Sequence, residues 1–228
     1  MDVLKPKGKA VLLGNEAIVR GAIEAGVGVA TAYPGTPSSE VADTFSAIAK
    51  DLGIYFEYSS NEKVALEVAA GAAYAGVNAI VSMKHFGLNV ASDSFMPIVY
   101  TGVKGALVVM VADDPGGFSS AQSEQDCRNY SRLAHIPTLE PSDVREAKEL
   151  TKLAFEISKK YEIPVLLRTT TKVSHAKGVV DLGEIKVQKP EGVFERDWER
   201  YYNIRPNLQK MHKKYWRSWR KFWKSMKV

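Results

Sequence analysis

The sequence predicts an α/β fold, a parallel sheet with helices on both faces, and three observations carry that reading. Short β-branched runs alternate with longer segments of helical period. Those longer segments carry start and stop signals of their own. A chain of 228 residues with 45% apolar content can bury one substantial core. In order, Ala10 to Leu13, Val27 to Ala32, Ile54 to Tyr58, Ala79 to Met83, Ala106 to Val111 and Pro164 to Leu167 read as strands of the sheet. Between them, Pro37 takes a first-turn position, Ser142 precedes a Glu- and Lys-rich helix, and Gly76 follows the alanine-rich segment Val64 to Ala75. After Thr171 the pattern turns into mixed polar, Gly and Pro residues, which reads as an arm leaving the domain. The expected organisation is a domain over residues 1–180, an extended arm over 181–204 and a basic helix over 205–228.

Composition narrows the function classes. Net charge is +5, yet Arg205 to Val228 holds nine Lys and Arg and no Asp or Glu, so the tail supplies more than the whole excess. The remaining body is slightly acidic, and no nucleic-acid-binding face is expected. Neither a charged-then-apolar leader nor a membrane-length apolar run is present, so a soluble cytoplasmic location is expected. The one cysteine, Cys127, can neither form an internal disulfide nor ligate an iron-sulfur cluster alone, so no cluster is expected on this chain. Trp216, Trp219, Trp223 and Met226 fall on one side of a terminal helix whose other side is Lys and Arg. They could anchor a partner subunit or pack on their own domain. A membrane surface also fits the pattern, although one short segment binds weakly.

Nucleotide-binding motifs are missing. Gly14-Asn15-Glu16-Ala17 has no further glycine until Gly21, unlike the dinucleotide fingerprint, and no phosphate-binding P-loop occurs. Asp113-Asp114 precedes Pro115-Gly116-Gly117 and reads as a turn, and no metal site is expected. Tyr58-Ser59-Ser60-Asn61-Glu62-Lys63 follows a strand and opens an alanine-rich helix. Ser59 and Glu62 have capping-box spacing, so on pattern alone a structural role for Glu62 outranks a catalytic one. The small residues of that helix allow another element to approach closely. Tyr33-Pro34-Gly35-Thr36-Pro37-Ser38-Ser39 forms a stiff loop, an ordinary turn into a helix unless its rigidity is used. Lys84-His85-Phe86-Gly87-Leu88-Asn89 leaves the fourth strand; a lone His in such a place is more often structural than catalytic. Pro115 to Asp126 is long and polar. All three loops leave the carboxyl edge of the sheet, where α/β proteins usually bind ligands, and their convergence is stronger evidence than any one of them.

The runs Gly14 to Ala17, Ala32 to Ser39, Tyr58 to Gly71, Met83 to Asp93, Val111 to Asp126 and Val165 to Thr171 together resemble the alpha subunit of indolepyruvate:ferredoxin oxidoreductases, over roughly the first 180 residues. The resemblance implies a thiamine-diphosphate-binding fold of the pyrimidine type, with Glu62 as the activating carboxylate. Such a carboxyl group, hydrogen-bonded to the aminopyrimidine, favours the tautomer that removes the thiazolium proton, and partial burial helps it share that proton. It further implies that His85 and Asn89 line the cofactor pocket and that Gly35 and Thr36 face the substrate. It implies Ser119, Ser120 and Gln125 as further substrate-binding residues, although their loop departs from the family's usual Ser-Ser-Gln-Asn-Glu-Gln-Asp pattern by being slightly longer. The implied reaction is oxidative decarboxylation of an aryl pyruvate to an acyl-coenzyme A, with electrons passed to ferredoxin.

No Gly-Asp-Gly motif with a downstream Asn is present to hold magnesium and diphosphate. A split enzyme is therefore expected, with diphosphate-binding and ferredoxin-like subunits supplied as partners around a homodimeric or hetero-oligomeric core. Two rivals use the same residues differently. A two-chain thiamine-diphosphate 2-oxoacid decarboxylase would use Glu62 likewise but need no clusters, and a noncatalytic assembly or regulatory module would keep only the fold.

Overall fold

The computed structural model describes residues 2–119, 123–186 and 188–226. Strand β1 (Gly8–Leu13) enters helix α1 (Gly14–Glu24), followed by β2 (Val29–Ala32), α2 (Ser39–Leu52), β3 (Tyr55–Tyr58) and α3 (Glu62–Tyr74). Next come β4 (Ala79–Lys84), α4 (His85–Thr101), β5 (Leu107–Asp113), α5 (Arg128–Ala134), β6 (Thr138–Leu139), α6 (Val144–Tyr161), β7 (Val165–Thr170) and the single turn α7 (Thr171–Ser174). Strand β8 (Lys177–Leu182), the short α8 (Trp198–Tyr201) and α9 (Asn207–Ser225) complete the described chain.

Six of the strands form a parallel sheet in the order β3-β2-β4-β5-β7-β6. Central β5 is buried at every residue, as a strand covered on both faces must be. Because side chains alternate across a strand, Val108 and Met110 join a core with Ile18, Phe45 and Phe155, while Val109 and Val111 join Leu66, Leu88 and Phe95 on the other face.

Two expectations are corrected. The run Ala10 to Leu13 is a strand, but it stands outside the parallel sheet: β1 pairs antiparallel with β8 in a separate two-stranded ribbon, Ala10 opposite Val180. Nor does the segment after Thr171 leave the body. It supplies β8, then runs along the core, where the Lys186 N–H donates to Ile23 O (3.0 Å) and the Val193 N–H to Ala75 O (3.0 Å).

The terminal basic segment is helical and lies on its own domain. Met211, Tyr215 and Phe222 are buried, the Tyr215 hydroxyl donates to His135 O (2.9 Å), and Tyr215 stacks on Tyr100. Trp216 and Trp219 pack partly against the two cores, whereas Trp223 and Met226 are 53% and 55% exposed. Among the described residues no helix is long and apolar enough to cross a membrane.

Candidate functional site

Counted within the parallel sheet alone, the strand order is 2-1-3-4-6-5. Chain connections leave β2 in one direction and β4 in the other, so a crevice opens between the carboxyl ends of these two strands. Ligands of open α/β sheets bind at this kind of reversal. The segments at its rim are the loop 33–38 after β2, the start of α3 after β3 and the start of α4 after β4.

Glu62 is the first residue of α3, but the capping box anticipated with Ser59 does not form. Asn61 is the cap, accepting from the Val64 N–H at 3.0 Å, while the Ser59 hydroxyl donates to Glu57 Oε1 (2.6 Å). The Glu62 carboxylate is thereby released from capping, and among the described residues it has no hydrogen-bond or ion-pair partner. It lies half-buried against Gly87, in the first turn of α4. A Cβ added to Gly87 would stand 2.5 Å from Glu62 Cγ and 2.8 Å from Oε1, so only glycine leaves the carboxylate room there. The first turns of two helices, with their exposed N–H groups, flank a negative group on the favourable side of both dipoles.

His85 is fully buried. Its Nε2 lies 2.9 Å from Ser123 O and its Nδ1 3.4 Å from Ala112 O, so the ring ties the loop after β5 to the sheet edge from beneath. Asn89, one turn further along α4, is exposed and forms a reciprocal amide pair with Gln125: Asn89 Nδ2 donates to Gln125 Oε1 (2.7 Å) and Gln125 Nε2 to Asn89 Oδ1 (3.1 Å). The Tyr130 hydroxyl also donates to Asn89 Oδ1 (2.7 Å), a contact the sequence gives no means of finding. Gly35 packs on the Lys84 side chain, where an added Cβ would come within 2.8 Å, and Thr36 beside it is exposed. Asn15 Nδ2 fastens this loop to α1 by donating to Pro37 O (2.8 Å) and Glu40 Oε2 (2.7 Å). The structure thus brings Gly35, Glu62, His85, Asn89 and Gln125 to one edge around the reversal.

Ser119 lies further along, its N–H donating to both carboxylate oxygens of Asp114 (3.0 and 2.9 Å), and the Thr171 hydroxyl reaches the same carboxylate at 2.6 Å. Ser120 falls outside the described residues. The buried Asp113 accepts from Arg168 Nε (2.6 Å) and the Cys127 N–H (2.9 Å). Both aspartates are occupied in fixing the loop, and among the described residues no group of three or more His, Cys, Asp or Glu is placed to hold a metal. Burial, and after it the Asp113 charge, pushes the Cys127 thiol up, which keeps it protonated and a poor nucleophile. Between the exits of β5 and β7 lies a cleft of about 810 Å³ bordered by Phe118, Ser119, Thr171 and His175.

Comparison with known proteins bears on this geometry. Residues 20–224 match the family model described as pyruvate flavodoxin/ferredoxin oxidoreductase, thiamine diphosphate-binding. The chain is 58% identical over 206 residues to the indolepyruvate oxidoreductase subunit IorA of Methanothermobacter thermautotrophicus, covering 90% of this chain and 33% of that protein. It is 54% identical over 214 residues to the subunit of the same name from Pyrococcus abyssi, with 92% and 33% covered. The 2-oxoglutarate synthase subunit KorA of Archaeoglobus fulgidus is 30% identical over 190 residues, with 77% and 53% covered. Similarity therefore reaches well past residue 180, into the terminal helix. The chain spans about a third of the length of the IorA relatives it matches. In fold it resembles a 2-oxoglutarate:ferredoxin oxidoreductase from Magnetococcus marinus, with a TM-score of 0.78 at 17% identity over 97% of this chain and 46% of the other.

Proposed function

We propose, since the chain belongs to the pyruvate flavodoxin/ferredoxin oxidoreductase, thiamine diphosphate-binding family, that it is the pyrimidine-binding half of an oxidoreductase that decarboxylates aryl pyruvates. The observation that carries this reading is the Glu62 carboxylate, free of its helix cap and held in a cradle that only Gly87 permits, at the strand-order reversal. The residues present fit the pyrimidine side of thiamine diphosphate: one half-buried carboxylate to share a proton with a ring nitrogen, and, among the described residues, no group of three or more His, Cys, Asp or Glu placed to hold the metal that accompanies a diphosphate. When bound, the cofactor supplies the electron sink through which a 2-oxoacid loses carbon dioxide.

The chain's own residues have positional and proton-holding roles. Glu62 would share a proton at its carboxyl group with the aminopyrimidine. His85 holds the loop 123–126 down on α4, so that the Asn89 and Gln125 amides stand at the rim of the crevice. Thr36, on a loop braced by Gly35 against Lys84 and by Asn15, faces the 2-oxoacid. Magnesium and diphosphate would be held by a second domain, whether on this polypeptide or another, and iron-sulfur clusters beyond these residues would supply the route for electrons to ferredoxin, with coenzyme A as acyl acceptor. The free buried cysteine suits a reducing, cytoplasmic setting.

The test is turnover by the complete native assembly, assayed for 2-oxoacid-dependent reduction of ferredoxin or a viologen with and without coenzyme A. Aryl pyruvates are expected to reduce the acceptor only when coenzyme A is present. Aldehyde release without acceptor reduction would favour a decarboxylase, and absence of any turnover an assembly module.

A second expectation concerns Gly87. In Gly87→Ala the new methyl displaces the Glu62 side chain, and turnover should drop roughly tenfold to a hundredfold, the scale of a misplacement near 1 Å. Circular dichroism should be unchanged. Activity equal to that of the unaltered enzyme would mean that Glu62 does not need its cradle.

A further inference from the structure

The cleft between the exits of β5 and β7 shares no lining residue with the Glu62 cradle, but segments at its rim are tied to those around the crevice. Its near wall is the start of the long loop after β5, whose far end is pinned by His85 and Asn89 next to the crevice. Its other wall is the turn after β7, and His175 there lies 3.4 Å from Glu40, which also accepts from Asn15 and so meets the brace of the Thr36 loop. Residues 115–119 therefore border the cleft, residues 123–126 lie beside the crevice, and the loop 33–38 is tied through Glu40 to the cleft's rim.

Phe118 stands out on this wall. It borders the cleft and is 89% exposed, so its ring face is open to a ligand in the cleft. The backbone around it is fixed: Gly116 and Gly117 take φ of 76° and 63°, conformations that favour glycine, and the next residue, Ser119, is clamped by both Asp114 oxygens. Thr171, across the cleft, is bonded to the same carboxylate, so the two walls share one anchor. The ring is thus presented by a braced turn rather than by a free loop.

Resting on the function proposed above, we infer that Phe118 is the specificity-determining wall for the substrate's side chain, and that the cleft accepts an aromatic group by stacking against it. A 2-oxoacid with its keto carbon in the crevice would turn its side chain toward this cleft, whose volume of about 810 Å³ holds an indole with room to spare. An aromatic face gains offset or edge contacts on a phenyl wall that a small branched aliphatic group does not make. A dicarboxylic substrate would instead use the Lys172 ammonium on the opposite wall, which has no ion-pair partner among the described residues.

The experiment compares kcat/KM for indolepyruvate, phenylpyruvate, a branched-chain 2-oxoacid and 2-oxoglutarate in the complete enzyme carrying Phe118→Ala, Phe118→Tyr or Lys172→Met. Phe118→Ala is expected to lower the ratio of aryl to branched-chain kcat/KM by about tenfold to a hundredfold, mostly through KM. Phe118→Tyr should restore the ratio, and Lys172→Met should lower whatever 2-oxoglutarate turnover the unaltered enzyme shows. Because Phe118 is so exposed, a folding defect is not expected to mask the result. If the unaltered enzyme turns over aryl pyruvates and Phe118→Ala changes the ratio by less than twofold, the inference is wrong while the function stands. If the unaltered enzyme turns over no 2-oxoacid, both fall together.

Discussion

Replacing Glu62 with Gln in the complete enzyme is expected to lower turnover by about 10²- to 10⁴-fold, the usual weight of a positioned acid-base group. Gln is nearly isosteric, so the Gly87 cradle stays filled, but an amide cannot share a proton with a pyrimidine nitrogen. The structural cost should be small. Asn61, not Glu62, caps α3, and loss of one charge near a helix N-terminus costs about 0.3–1 kcal/mol. Cofactor affinity and thermal stability should therefore change little while the rate collapses. Exchange of the thiazolium proton for deuterium, followed by NMR in the assembled enzyme, should slow in the same proportion as turnover. A Gln variant with full activity would remove Glu62 from catalysis and return the chain to the noncatalytic reading.

Sequence pattern made the sheet legible where strands are buried on both faces. Val108 to Val111 has no polar residue, and neither does Ala79 to Val81, because each face of β4 and β5 meets a helix layer. Pattern failed for Ala10 to Leu13, since an apolar run does not say what it pairs with. Its partner, β8, begins 164 residues after β1 ends, and the exposed Lys177 and Val179 and the exposed Asp181 in that partner disguise a strand as a polar segment. β6, two residues long, is below what any periodicity can report.

At the site, residue types were legible and their duties were not. Ser59 and Glu62 have capping-box spacing, but Ser59 is buried with its hydroxyl on Glu57, and the cap passed to Asn61, whose extended backbone suits the position. The same shift that spoiled the local prediction is what frees the carboxylate. His85 offered an imidazole in a loop, and only coordinates reveal that both nitrogens face main-chain carbonyls. Gly87 left a faint trace, a glycine in a helix's first turn, where it costs stability unless close approach is needed. Tyr130 and Asn15 left none, because their contacts join residues far apart in the chain.

The second large effect is on stability, and it lies away from the crevice. Glu24 is 2% exposed and Arg20 fully buried, and Arg20 Nε donates to Glu24 Oε1 at 2.7 Å. The guanidinium's Nη1 donates to Val3 O (2.8 Å) and Lys5 O (2.7 Å) and its Nη2 to Gly183 O, tying the amino-terminal segment and the exit of β8 to α1. Lys148 and Lys152 approach Glu24 Oε2 at 3.3 and 3.2 Å. Glu24→Ala would leave the fully buried Arg20 without its counter-charge, while Lys148 and Lys152 keep Glu149 at 2.9 and 3.4 Å, and a loss of about 3–5 kcal/mol is expected. Replacing Arg20 and Glu24 together with apolar residues should cost less, because no charge is then stranded. Burial alone would raise the Glu24 pKa, but Arg20, the Gly183 N–H, Lys152 and Lys148 outweigh it and hold the carboxyl below the usual glutamate range. A carboxylate with a lowered folded-state pKa stabilises the fold in full above its unfolded value, about 4.3, and the contribution fades as pH falls through the folded value. Urea midpoints should accordingly fall as pH drops below about 4.3, and fall less steeply in Glu24→Ala, which has no such proton to bind. A variant with the unaltered midpoint at neutral pH would mean that the buried Arg20 needs no counter-charge from Glu24, and that α1 is held by its apolar contacts alone.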